Sequence, residues 1–192
     1  MQVKNKIKIY SEDNEARWFI KNLLSDYTSY IDILDINIGW INLLYLYKGD
    51  MPYFSNVALV FDGDVSQANI DFELRHVNPK PKNILILPGD KRPEGVIYDY
   101  LISLQSSHSY WQAADNVGFS WTYFKEHSPA SYPQTDEREK YKKWFNDHSL
   151  NFDSTNLYLY WHNDNQRLAH EFIGKFKRVY NIIAERLFYK KL

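Results

Sequence analysis

Apolar positions follow two periods along this chain, and the change between them divides it. Up to about residue 105, short apolar or alternating runs are separated by stripes of helical spacing. Lys6-Ile7-Lys8-Ile9-Tyr10 alternates and predicts a first strand. Ala16, Phe19, Ile20, Leu23 and Leu24 follow at i, i+3, i+4, i+7 and i+8, the spacing of one buried helix face. Ser11, Asp13 and Asn14 all offer an N-cap for that helix. Tyr30 to Ile36 predicts a second strand, and Trp40 to Tyr47 a helix broken at Gly49-Asp50-Met51-Pro52. Val57-Ala58-Leu59-Val60-Phe61 is an unbroken apolar run, as expected of a strand buried on both faces of a parallel sheet. Asn83 to Leu87 predicts a fourth strand, and Pro93 opens a helix with Ile97, Tyr100, Leu101 and Leu104 on its buried face.

Strand and helix alternating in this way predict an α/β fold with a mostly parallel, Rossmann-like, four-stranded sheet flanked by helices. After Gln105 the pattern changes. Ser106 to Pro133 has no clear period and reads as irregular or as short helices. Glu137 to His148 is helical in spacing, and Leu157 to Trp161 fits a strand or a buried helix turn. Leu168, Phe172, Phe176, Val179, Ile183 and Leu187 mark a long amphipathic C-terminal helix. The expected division is an α/β core over residues 1–105 and a mainly helical extension over 106–192, packed on the core.

Composition narrows the chemistry. The 192 residues contain no Cys, which removes disulfides, thiol nucleophiles and thiolate zinc sites. Formal net charge is −1, but the stretch from Asn165 onward carries seven Lys and Arg against Glu171 and Glu185. Such a basic helix is a solvated face or a surface that touches phosphates. Sixteen Tyr and six Trp could stack on bases, although core packing is the commoner use. There is no run of membrane-spanning length and no signal-peptide pattern, so a soluble, cytoplasmic protein is expected. The His residues lack zinc spacing, and no phosphate-cradling Gly-rich loop occurs.

Carboxylates gather at the predicted strand ends. Asp62-Gly63-Asp64 ends the third strand, Glu12 stands between the first strand and its helix, and Glu94 lies in the first turn after the fourth. Ligands of open α/β sheets collect at these carboxyl ends. Clustered carboxylates repel one another unless a cation neutralises them, which points to a divalent metal held by hard oxygens. Asp-Gly-Asp alone also describes a solvated turn, and Glu12 and Glu94 alone are ordinary helix-start acids.

The arrangement resembles the Toprim domain, in which a glutamate follows the first strand and an Asp-x-Asp follows the third. Within that family it is similar to the nuclease half of the OLD family of ATPase–nuclease proteins. The likeness rests on Ile9 to Ala16, on Phe61 to Asp64, and on Leu87-Pro88-Gly89 with Arg92-Pro93-Glu94. It covers roughly residues 6–104. The resemblance implies a DNA endonuclease that uses Mg²⁺, with Mn²⁺ able to substitute, in bacterial defence against phage. It implies Glu12, Asp62 and Asp64 as metal ligands, direct or through water. Glu94 would be a further ligand or a base that positions water. Lys142, or Lys143 in its place, would neutralise charge on the phosphate. An ATPase domain or subunit would be the partner, and self-association into a homo-oligomer is left open. The alternative is a weakly active metal-binding module that docks to such an ATPase. The chain departs from the family where many members have Glu-Gly and a second acid four residues on, because here Asp13 and Ala16 occupy those places.

Overall fold

The computed structural model describes residues 5–192. A four-stranded, all-parallel sheet has the order β2-β1-β3-β4. Its strands are β1 (Ile7–Ser11), β2 (Ile31–Ile33), β3 (Ala58–Phe61) and β4 (Ile84–Ile86). Between β1 and β2 runs α1 (Asn14–Leu23). Between β2 and β3 run α2 (Trp40–Gly49) and α3 (Met51–Phe54), and α4 (Gln67–Glu73) links β3 to β4. The predicted second strand shrinks to three residues, because only Ile31, Asp32 and Ile33 find partners along β1.

All four residues of β3 are buried, as the unbroken apolar run requires. Leu59 and Phe61 pack with Leu43, Leu44 and Tyr47 of α2 and with Ile70 of α4. Ala58 and Val60 point to the opposite face and are equally buried. The α1 stripe holds: Ala16, Phe19, Ile20, Leu23 and Leu24 are at most 3% exposed. Its N-cap is Asp13, whose Oδ1 accepts the Ala16 N–H at 3.1 Å.

The chain separates into two compact units, and the division differs from the expected one. The first unit runs to Pro93 and also takes 167–192, while the second is 94–166. The C-terminal helix α10 (Gln166–Leu187) belongs almost wholly to the sheet unit because its apolar stripe packs there. Phe176 meets Tyr27 and Tyr180 meets Tyr30, with ring centroids 5.4 and 6.0 Å apart, and the Arg186 guanidinium donates to the Ser55 carbonyl at 2.8 Å.

The second unit is helical, with α5 (Pro93–Ser103), α6 (Ser109–Asp115), α7 (Trp121–Glu126), α8 (Glu137–Ser154) and α9 (Leu157–Asp164). The aperiodic stretch after Gln105 thus holds short helices, and Leu157 to Trp161 is helix. Trp144, Phe119, Phe124 and Phe152 are buried together around α8, so these aromatics are core rather than stacking platforms.

Candidate functional site

The strand order fixes where a site can form. From β1 the chain moves to β2 on one side, then crosses back to β3 on the other. The carboxyl ends of β1 and β3 therefore flank a topological switch point, where α/β sheets bind ligands. Ser11 pairs with Val60 in register, so Glu12 and Asp62 leave the sheet side by side.

The structure brings these two acids into contact. The Asp62 N–H donates to Glu12 Oε1 at 3.0 Å, and the Trp40 N–H at the start of α2 also donates to the Glu12 carboxylate. Glu12 and Asp13 are 8% and 6% exposed, and Asp62 is fully buried. Burial raises the Glu12 carboxyl above its ordinary value, and repulsion from Asp13 and Asp64 adds to the rise. The two backbone hydrogen bonds oppose it. Asp64 is more open and pairs with Arg92, Nε to Oδ2 3.2 Å, each about a third exposed.

Gly63 is required for this packing. A Cβ there would stand 2.7 Å from the carbonyl oxygens of both Gly89 and Lys91. The Asp-Gly-Asp turn therefore lies backbone against backbone on the loop after β4, and Gly89 turns that loop at φ 96°.

Of the residues singled out by sequence, Glu12, Asp62 and Asp64 come together in the first unit. Glu94 and Lys142 fall in the second unit. Glu94 is 2% exposed in the first turn of α5, and Lys142 is half-buried on α8. Lys143, the alternate lysine, is tied to Asp147 one turn on. The departure at Asp13 has a structural use, since that side chain caps α1, and Ala16 is fully buried and could not place a ligand at the surface.

Sequence reading gave no role to Arg92 or to the Trp40 N–H. The arginine was visible immediately before Pro93, but nothing local ties it to Asp64. Ser11, considered only as a cap, is buried with its hydroxyl lacking a hydrogen-bond partner among the described residues.

The donor set is chemically suited to a hard cation, being carboxylate oxygen throughout. Among the described residues, however, no group of three or more His, Asp or Glu side chains is arranged to hold a metal ion. Glu12 Oε1 is engaged by a backbone N–H and Asp64 by an arginine. No described helix is long and apolar enough to cross a membrane. The chain matches no family model, no curated protein and no solved structure at a significant level.

Proposed function

We propose that the chain is a Mg²⁺-dependent DNA endonuclease domain that serves bacterial defence against phage together with an ATPase. The observation that supports this reading most is the pairing of Glu12 with the Asp62 backbone at the switch point of a parallel sheet, with Asp64 near enough to disfavour the Glu12 charge. Glu12, Asp62 and Asp64 would hold the ion. Bound there, Mg²⁺, or Mn²⁺ in its place, would supply positive charge to a phosphodiester and acidity to a bound water. Around that role the chain's own groups act by position. Burial of Glu12 and Asp62 lowers the local dielectric, so charge on either is felt strongly by a neighbouring ligand. Arg92, held beside Asp64, offers its guanidinium to a phosphate oxygen. Base and phosphate-neutralising roles for Glu94 and Lys142 are part of the proposal and are tested separately by Glu94→Gln and Lys142→Ala.

Nicking of supercoiled plasmid in Mg²⁺ or Mn²⁺ is the test. Wild type is expected to nick and Asp62→Asn to lose the activity. Undiminished nicking by Asp62→Ala overturns the reading.

One observation favours a second reading, namely the lack of a ready three-acid group among the described residues. In that reading the chain is a weakly active module whose main task is docking to an ATPase. A chain that is inert alone and acquires nicking only when mixed with the ATPase supports it.

A further inference from the structure

The open side of β4 has no role in either reading. β4 is an edge strand whose neighbour in the sheet is β3. The Leu59 N–H donates to the Asn83 carbonyl and the Leu87 N–H to the Phe61 carbonyl. With Leu59 opposite Ile84 and Phe61 opposite Ile86, the ladder uses Asn83, Leu85 and Leu87. The backbone groups of Ile84 and Ile86 therefore point the other way, and no backbone partner takes them up among the described residues.

A groove of about 360 Å³ runs along this edge, and α10 forms its far wall. The helix presents Lys175, Arg178, Val179 and Ile182, at i, i+3, i+4 and i+7. Buried Leu85 and Val179 form the floor, with Ile84, Ile86 and Ile182 half-buried beside them. Lys82, Lys175 and Arg178 are exposed on the rim, no acid lines the groove, and none of the three makes an ion pair among the described residues.

We propose that this groove takes an extended acidic segment of a partner protein, laid beside β4 as a fifth strand. The proposal stands whichever of the two readings above holds. Strand addition uses unpaired edge N–H and C=O groups for affinity and alternate side chains for specificity. Side chains of such a segment alternate between the two faces of the sheet. Every second residue would carry a carboxylate to Lys175 and Arg178 on the α10 side, and the apolar residues between would lie beside Ile84 and Ile86 on the other. Lysine on an edge also discourages indiscriminate strand pairing, so the same rim that admits acidic segments turns away apolar and basic ones. Nucleic-acid phosphates would be drawn to the same cations, but they make no use of an open strand edge or an aliphatic floor.

Fluorescence anisotropy on the full chain tests this with a labelled alternating valine–glutamate peptide of about eight residues, a common strand length. Saturable binding is expected, weakened about tenfold or more by the double variant Lys175→Glu, Arg178→Glu, a loss of roughly 1.4 kcal/mol. The same peptide N-methylated on alternate residues, or carrying Lys for Glu, is expected not to bind. Amide exchange at Ile84 and Ile86 is expected to slow in the complex. No saturable binding, equal binding of the N-methylated peptide, unchanged exchange at those two amides, or displacement of the peptide by an oligothymidine overturns the proposal. The variant Asp62→Asn, expected to lose nicking, is expected to bind the peptide as wild type does, so failure of the groove and failure of the nuclease reading are separable.

Discussion

Gly63→Ala isolates the close approach of the two loops that shape the acidic site. The added Cβ would lie 2.7 Å from two backbone oxygens, Gly89 O and Lys91 O, and 3.1 Å from the Gly89 carbonyl carbon. Ordinary contact begins near 3.5 Å, so both carbonyls must retreat by about 0.8 Å. Neither is the end of a flexible side chain, so the movement has to come from the loop itself. Forcing a methyl into a packed site costs roughly 1–3 kcal/mol. Replacing Gly also stiffens the unfolded chain, which returns about 0.4–1 kcal/mol. The clash outweighs that gain, and a net loss of about 1–2 kcal/mol is expected. For a chain of this length that is roughly 2–8 °C in melting temperature. Urea unfolding followed by circular dichroism measures it directly. A midpoint equal to or above that of wild type would show that the loops are not held in contact as described. Because the displaced turn carries Asp62 and Asp64, the same variant is expected to lower nicking more than its stability loss explains.

Three further substitutions probe other parts of the structure. Glu12→Gln removes a carboxyl whose folded value is raised, chiefly by burial, from an ordinary 4.5. In wild type the protonated form is favoured by the fold, so this contribution is complete below that ordinary value and is lost as pH rises through the raised one. The variant cannot ionise, so its stability advantage is expected to open as pH climbs above 4.5 and to close below it; a gap that is flat or reversed across urea titrations refutes the assignment. Asn83→Ala strips the Nδ2 donor from the Phe54 and Val57 carbonyls, both at 2.7 Å, while relieving the buried Oδ1 that has no hydrogen-bond partner. Two orphaned acceptors outweigh one relieved, and thermal or urea unfolding should show a loss of about 1–3 kcal/mol. Gly174→Ala lies inside α10 with nothing within 4 Å of the new Cβ, so helix propensity should act alone and raise stability by up to about 1 kcal/mol in the same assay.

Local pattern carried most of the architecture, for identifiable reasons. The run Val57–Phe61 has no polar position to expose, so it had to be an inner strand, and the sheet order puts it there. The α1 stripe and the Pro93 start depend on neighbours within a few residues, and both stand as read. That Glu12 and Asp62 share the carboxyl edge was inferable because all strand ends of a parallel sheet point one way, but their being neighbours depends on β3 lying beside β1, which no local pattern states. What escaped were effects of distant partners. Nothing near Arg92 says that it meets Asp64, and nothing near Trp40 says that its N–H reaches Glu12. The affiliation of α10 was missed because amphipathicity shows that a helix has a buried face but not what buries it. Tyr27 and Tyr30, about 150 residues earlier, supply part of that answer.

That return of α10 has a consequence for synthesis. The sheet's last covering helix leaves the ribosome long after the strands it protects, since roughly a hundred residues must first be added, which takes about 5–20 s. During that interval the nascent strands lack the partner for Tyr27 and Tyr30. Messages truncated between codons 94 and 166 should therefore yield products that bind chaperones and precipitate, whereas excising that whole stretch and rejoining its ends with a flexible linker should give a soluble mini-protein.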